Sequence, residues 1–163
     1  MKKFFHLFMV FVLVMNVTAC GNKMQTNDSE PLSAEGTAQE ESEDMTAMKM
    51  SVTIGEQTFT ATLEDNAAVH ELVKMMEEKA VSIDMDDYSG FEKVGSLGKS
   101  LPADNRKITT QAGDIVLYSG NQIVMFYGSN SWDYTRIGKI DDLSGWKDAL
   151  GTDSITAVFS LEQ

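Results

Sequence analysis

The residue best placed for a defined chemistry is Cys20, the single cysteine of the 163-residue chain. It closes the stretch Val17-Thr18-Ala19-Cys20, directly after an apolar run from Phe4 to Val17. A small residue before a cysteine in that place looks like a lipobox. There the thiol takes up a diacylglyceryl group as a thioether before the leader is removed. Two acyl chains on one cysteine supply the dual anchoring that a single chain does not. No disulfide can form within a chain that has one cysteine.

Other reactive groups are few. His70 is the one histidine outside the leader, which holds His6. A Ser-His-Asp or Cys-His arrangement would have to use it, and no nucleophile-elbow motif accompanies it. A zinc site needs several His or Cys ligands, so zinc is not expected. Asp84, Asp86 and Asp87, with Gly90 and Glu92 behind them, could offer hard oxygens to calcium. Their spacing departs from the EF-hand loop, and a solvated strand rim accounts for them more simply. Met45, Met48 and Met50 could suit soft copper, but they also fit a linker running into a first strand. No metal and no cofactor is expected.

What remains is aromatic and amide content. Tyr88, Phe91, Tyr127, Asn130, Trp132, Tyr134 and Arg136 stand in or beside Gly/Ser-containing polar segments. Exposed rings with amide neighbours suit recognition of a peptide or glycan, and the mouth of a barrel is where such sites form. The competing reading has several of these rings capping the core.

The segments that carry these residues differ sharply in composition. Lys2 and Lys3 precede an apolar run too short to cross a bilayer, which needs roughly 20 residues, but sufficient for a secretory leader. Residues 1–19 therefore read as a lipoprotein signal peptide. Residues 20–48 read as an acidic, disordered tether: Asp28, Glu30, Glu35, Glu40, Glu41, Glu43 and Asp44 face a single Lys23, with sparse apolar residues. Residues 49–163 are long enough for one domain with one core. Three of the 13 basic and seven of the 25 acidic residues precede position 49, so this domain carries a net charge of −8. That sign argues against nucleic acid, whose phosphates need basic stripes.

The domain reads mainly as strands. Val52 and Ile54 alternate with polar neighbours up to Gly55-Glu56, and Phe59, Ala61 and Leu63 alternate beyond it, which predicts a hairpin with one buried face. Period two recurs over Val81–Asp86 and Ile155–Leu161. Asp114–Tyr118 and Gln122–Tyr127 flank Ser119-Gly120-Asn121 as a strongly apolar hairpin, and Thr135–Ile140 makes a further strand. Ser129–Tyr134 is expected to be a loop with Trp132 on its rim.

Two helices interrupt the strands. One follows an Asp65-Asn66 cap, with Val69, Leu72, Val73, Met76 and Ala80 at helical spacing and Glu71 and Lys79 placed to suit the dipole. A shorter one has Leu143, Trp146 and Leu150 on one side and Gly151 as its C-cap. About eight strands and two short helices point to a closed β-barrel with helices over its ends.

Three stretches resemble the bacterial cyclophilin-like fold family: Asp87-Tyr88-Ser89-Gly90-Phe91-Glu92-Lys93, Ala112–Tyr118 with Phe126-Tyr127-Gly128, and Tyr134–Ile140. The resemblance spans about Met50 to Leu161 and implies a cyclophilin-like barrel, without implying an activity. Cyclophilin itself sets an Arg, a Phe and a Gln around its proline-isomerase groove. Gln111-Ala112-Gly113-Asp114-Ile115 looks like the stretch that carries the Gln. Ile108 stands at the Phe position and Ala103 at the Arg position, with Arg106 nearby but out of place.

Three functions stay open at this stage. The leading one is a membrane-anchored extracytoplasmic lipoprotein whose domain is a non-catalytic binding or accessory module for a peptide or small ligand. The second is a weak peptidyl-prolyl isomerase acting on exported proteins, with Arg106 and Gln111 in its groove. The third is an interaction domain docking a neighbouring envelope protein.

Overall fold

The computed structural model describes residues 48–162, so the segment expected to be a signal peptide, Cys20 and nearly all of the expected tether lie outside the described residues. β1 (Lys49–Ile54) and β2 (Gln57–Leu63) form the expected hairpin in the register set by alternation, with Val52 opposite Phe59. A one-residue slip would turn the whole buried set to solvent. α1 (Ala67–Glu78) starts at Asn66, whose side-chain oxygen accepts the Val69 N–H at 3.1 Å while its amide donates to the Arg136 carbonyl at 2.8 Å. One side chain thus caps the helix and ties it to the barrel wall. The dipole expectation needs correcting at the N-terminus, where Glu71 lies past the first turn; Lys79 is the C-cap residue itself.

β3 (Val81–Tyr88), β4 (Glu92–Ser96), β5 (Arg106–Thr109), β6 (Asp114–Tyr118), β7 (Gln122–Phe126), β8 (Ser131–Ile140), α2 (Trp146–Leu150) and β9 (Ile155–Leu161) follow. Eight strands close into an antiparallel ring in the order β1-β9-β3-β4-β7-β6-β8-β2, with β2 returning to β1. The closing seam sets Ala61, Thr62 and Leu63 against Ile140, Lys139 and Gly138. A Cβ on Gly138 would lie 2.5 Å from the Thr62 carbonyl oxygen, so the two backbones approach this closely only because position 138 has no side chain. β5 sits outside the ring and pairs with the first half of β8.

The ring is filled by Met50, Val52, Phe59, Ala61, Ile83, Met85, Ile115, Leu117, Ile123, Met125, Ile137 and Phe159. Strand side chains fill a closed barrel from within, and other elements can reach that core only at its ends. α1 adds Val69, Leu72 and Met76 to the same cluster, and α2 adds Trp146 and Leu150. Trp146 meets Phe59 edge-on at 5.0 Å between ring centres and donates its indole N–H to the Phe126 carbonyl at 2.8 Å. α2 is shorter than the sequence suggests, since Leu143 precedes it and is exposed.

Lys93, on β4, points inward and is completely buried. Its ammonium donates to Asp87 at 3.0 Å and to the Asp153 carbonyl at 2.8 Å, and the Tyr127 hydroxyl donates to the same Asp87 carboxylate. Those two donors, the hydroxyl first, hold the Asp87 carboxyl below its usual range. Burial, with the Asp87 hydrogen bond and charge behind it, pushes the Tyr127 phenol up to about 12. The buried cation is thereby paired, as it must be to remain charged out of water.

Candidate functional site on the outer wall

A second apolar cluster lies on the opposite side of the same strands. On β7, Ile123 and Met125 face the barrel core while Val124 and Phe126 face outward, and on β6 Val116 also faces outward. Val116, Val124, Phe126 and Tyr134 are nonetheless buried, with Phe91, Val94 and Ile108 packed against them. Part of that cover comes from β5, which sets Ile108 beside Trp132 and Arg106 beside Tyr134. Phe91, in the turn after β3, and Val94, on β4, supply more.

Those two turns share the tripeptide Tyr-Ser-Gly. In each, the Ser and Gly take left-handed backbone angles: Ser89 55° and Gly90 74°, Ser119 51° and Gly120 74°. Positive φ at both central residues matches the right-handed twist of the strands and keeps the hairpins tight. The N–H of Phe91 closes the first turn onto the Tyr88 carbonyl, and that of Asn121 closes the second onto Tyr118, each at 3.3 Å. Tyr88 and Tyr118 are therefore delivered to one region of the outer wall by equivalent geometry.

Between them lies a cavity of about 630 Å³, lined by Tyr88, Ser89, Phe91, Glu92, Val94, Tyr118, Gln122, Val124, Asn130, Trp132 and Tyr134. Its size falls within the range of small-ligand sites. Tyr134 is its floor: buried, edge-on to Phe126 at 5.7 Å and to Tyr118 at 6.1 Å, its hydroxyl accepting from the Asn130 side chain at 3.0 Å. Trp132 and Tyr88 are its exposed walls, at 57 % and 58 % accessibility. Tyr88 meets Phe91 edge-on at 6.1 Å.

Glu92 is the charged residue in this lining. It pairs with Phe126 across β4 and β7 and shares the outward face with Val94. Only 6 % of it is accessible, and its Oε2 has no hydrogen-bond partner among the described residues. Loss of hydration pushes its carboxyl up to about 7. Burial also raises the Tyr134 phenol, and the charge of Glu92 adds to that rise.

A model of the Cyclophilin-like family matches residues 52–160. The chain belongs to the cyclophilin-like family. This cyclophilin-like domain also shares its fold with a hypothetical protein of Archaeoglobus fulgidus solved in solution. That likeness has a TM-score of 0.51 at 13 % identity and covers 71 % of this chain and 95 % of that one. No curated protein sequence matches the chain.

Of the candidate binding residues, the cyclophilin-like barrel brings Tyr88, Phe91, Asn130, Trp132 and Tyr134 together around the cavity. It does not bring the other four there. Tyr127 turns into the barrel towards Asp87. Arg106 is exposed and held by Asp104 at 2.7 Å. Arg136 lies 3.7 Å from Asp114. Gln111 is exposed, and its backbone N–H donates to Asp114 at 2.9 Å, so Gly113-Asp114 serves as the turn that opens β6.

Two positional expectations change. The cavity opens on the barrel's outer wall, away from its mouth. Ser131–Tyr134 belongs to strand β8 instead of a loop, with Trp132 exposed because its face of the strand turns outward. The carboxylates once grouped as calcium candidates are separately engaged: Asp84 with Thr156, Asp86 with Ser154, and Asp87 with Lys93 and Tyr127. His70 lies on the helix surface, 2.8 Å from Asp65.

Sequence reasoning passed over Glu92, Tyr118 and Gln122, which line the cavity. The repeated Tyr-Ser-Gly could have found Tyr118. Glu92 gave no signal, because β4, the strand that carries it, is short and polar.

Proposed function

We propose that this protein is a lipid-anchored, extracytoplasmic binding module that holds a peptide or small ligand in the aromatic cavity of its outer wall. The observation that carries this reading is the cavity itself. Rings of Tyr88, Phe91, Tyr118, Trp132 and Tyr134 surround it, and the amides of Gln122 and Asn130 stand among them. Rigid aromatic surface with a few polar groups is what recognition sites combine. Anchoring rests on the lipobox-like stretch ending at Cys20.

Trp132 supplies the test. The chain has two tryptophans, and Trp146 is sealed in the core at 1 % accessibility, so a ligand-dependent emission change reports Trp132. A peptide and small-molecule screen read by fluorescence should return ligands whose affinity Trp132→Ala lowers by about 1–3 kcal/mol, as loss of an aromatic anchor commonly does. Ligands that bind the Trp132→Ala protein with unchanged affinity would place recognition elsewhere.

A further inference from the structure

Resting on that reading, we propose that the cavity recognises a hydrogen-bearing organic cation, an alkylammonium or guanidinium group, whose N–H donates to the Glu92 carboxylate between aromatic walls. A carboxylate with little access to water and an unpaired oxygen is costly to keep. On this wall nothing among the described residues relieves it. Arg106 on β5 and Arg136 on β8 lie on strands that do not adjoin β4, and Asp104 and Asp114 engage them. Lys93, the next residue along β4, points the other way and is committed to Asp87 and Asp153. Among the described residues Oε2 has no complement, and a bound ligand can supply one.

The surroundings select the sign and kind of that complement. Five aromatic rings line the same cavity, and their faces attract a cation and offer nothing to an anion. The chain's net charge of −12 gives a field that draws cations in and repels carboxylate or phosphate ligands. An unpaired acceptor favours a group with N–H bonds over a quaternary ammonium, which has none. At about 630 Å³ the cavity is larger than one ammonium head, leaving Gln122, Asn130 and Ser89 to meet the rest of the ligand. A free diamine and a Lys or Arg side chain in a peptide both have this chemistry.

Calorimetry on the purified chain at pH 8 decides, using three probes. They are acetyl-Ala-Lys-Ala-amide, the same peptide with norleucine in place of lysine, and cadaverine. The lysine peptide should bind at least tenfold tighter than the norleucine peptide, and Glu92→Gln should erase that margin. Cadaverine binding as tightly as the lysine peptide assigns the site to free amines; much weaker binding assigns it to basic side chains.

A measurement on the unaltered protein guards against a variant that does not fold. The other titratable groups facing the cavity are the phenols of Tyr88, Tyr118 and Tyr134. Docking of the lysine peptide near pH 7 should release a proton from Glu92, seen as a buffer-dependent binding heat that norleucine lacks. Equal affinity for lysine and norleucine overturns the cation assignment and leaves the cavity as a ligand site. So does a lysine preference that survives Glu92→Gln, or the absence of proton release. If no probe binds, the cation assignment also falls, and the wider binding reading is judged by the Trp132 screen.

Discussion

At the scale of single residues, Glu92 sets how this domain responds to pH. Its carboxyl titrates at about 7 in the folded protein and nearer the ordinary 4.5 when the chain unfolds. Between those values the folded state keeps a proton that the unfolded state has released, so stability falls as pH rises through the window. The contribution is about 3 kcal/mol at most, lost by pH 8. Asp87 acts in the opposite sense and in a lower range. Its depressed carboxyl adds stability above the unfolded value, and that is lost in acid. Denaturant unfolding of wild type and Glu92→Gln at pH 5 and pH 8 should show the wild type losing more stability on going to pH 8. Parallel behaviour of the two proteins would mean that Glu92 is hydrated and ordinary.

Little of this residue-level detail was readable in the sequence. Tyr88, Phe91, Asn130, Trp132 and Tyr134 could be singled out because rings and amides stand out in polar segments. Their convergence depends on a chain of strand pairings, Tyr88 with Glu92 across a tight turn and then Glu92 with Phe126, 34 positions further on. Glu92 looked like a solvated acid because much of what surrounds it lies on other strands and in a turn.

At the scale of elements, the strands that could be found were those with one apolar and one polar face. β1, β2, β3 and β9 alternate cleanly because one side packs in the core and the other meets solvent. β4 and β5 escaped notice for separate reasons. β4 directs Lys93 and Gly95 inward and Glu92 and Val94 outward, inverting the usual pattern. β5 has four residues and only Ile108 to mark a face. The extent of β8 was missed because its first half pairs with that same inconspicuous strand.

Gly138 tests the joint that makes these elements a ring. Gly138→Ala forces a methyl group to within 2.5 Å of the Thr62 carbonyl oxygen unless the seam opens. Overpacking of this kind typically costs about 1–3 kcal/mol. The midpoint of denaturant unfolding should fall accordingly, and an unchanged midpoint would show that β2 and β8 can part without penalty.

At the scale of the whole molecule, the described domain starts at Met48, whose carbonyl accepts the Leu63 N–H at 2.8 Å. A fragment beginning there should unfold cooperatively at nearly the midpoint of the full mature chain. A large loss would mean that the preceding acidic stretch packs on the barrel. The anchoring proposal has its own check. Mass spectrometry of the mature N-terminus should find Cys20 acylated, and a Cys20→Ala protein should leave the membrane fraction on gentle washing.

Ring closure also governs how the molecule comes apart. An open sheet frays from its outermost strands, each of which holds one row of amides with no partner. Here β2 and β8 hold one another, so a local opening has no end strand from which to spread around the ring. Backbone amides of all eight ring strands should therefore exchange with solvent deuterium through the same global event, on one shared timescale. β5, attached along a single side, should exchange orders of magnitude sooner. Because β5 also props Trp132 and Tyr134 from beside the cavity, the aromatic cavity then sits at the boundary between the slowest part of the protein and its quickest.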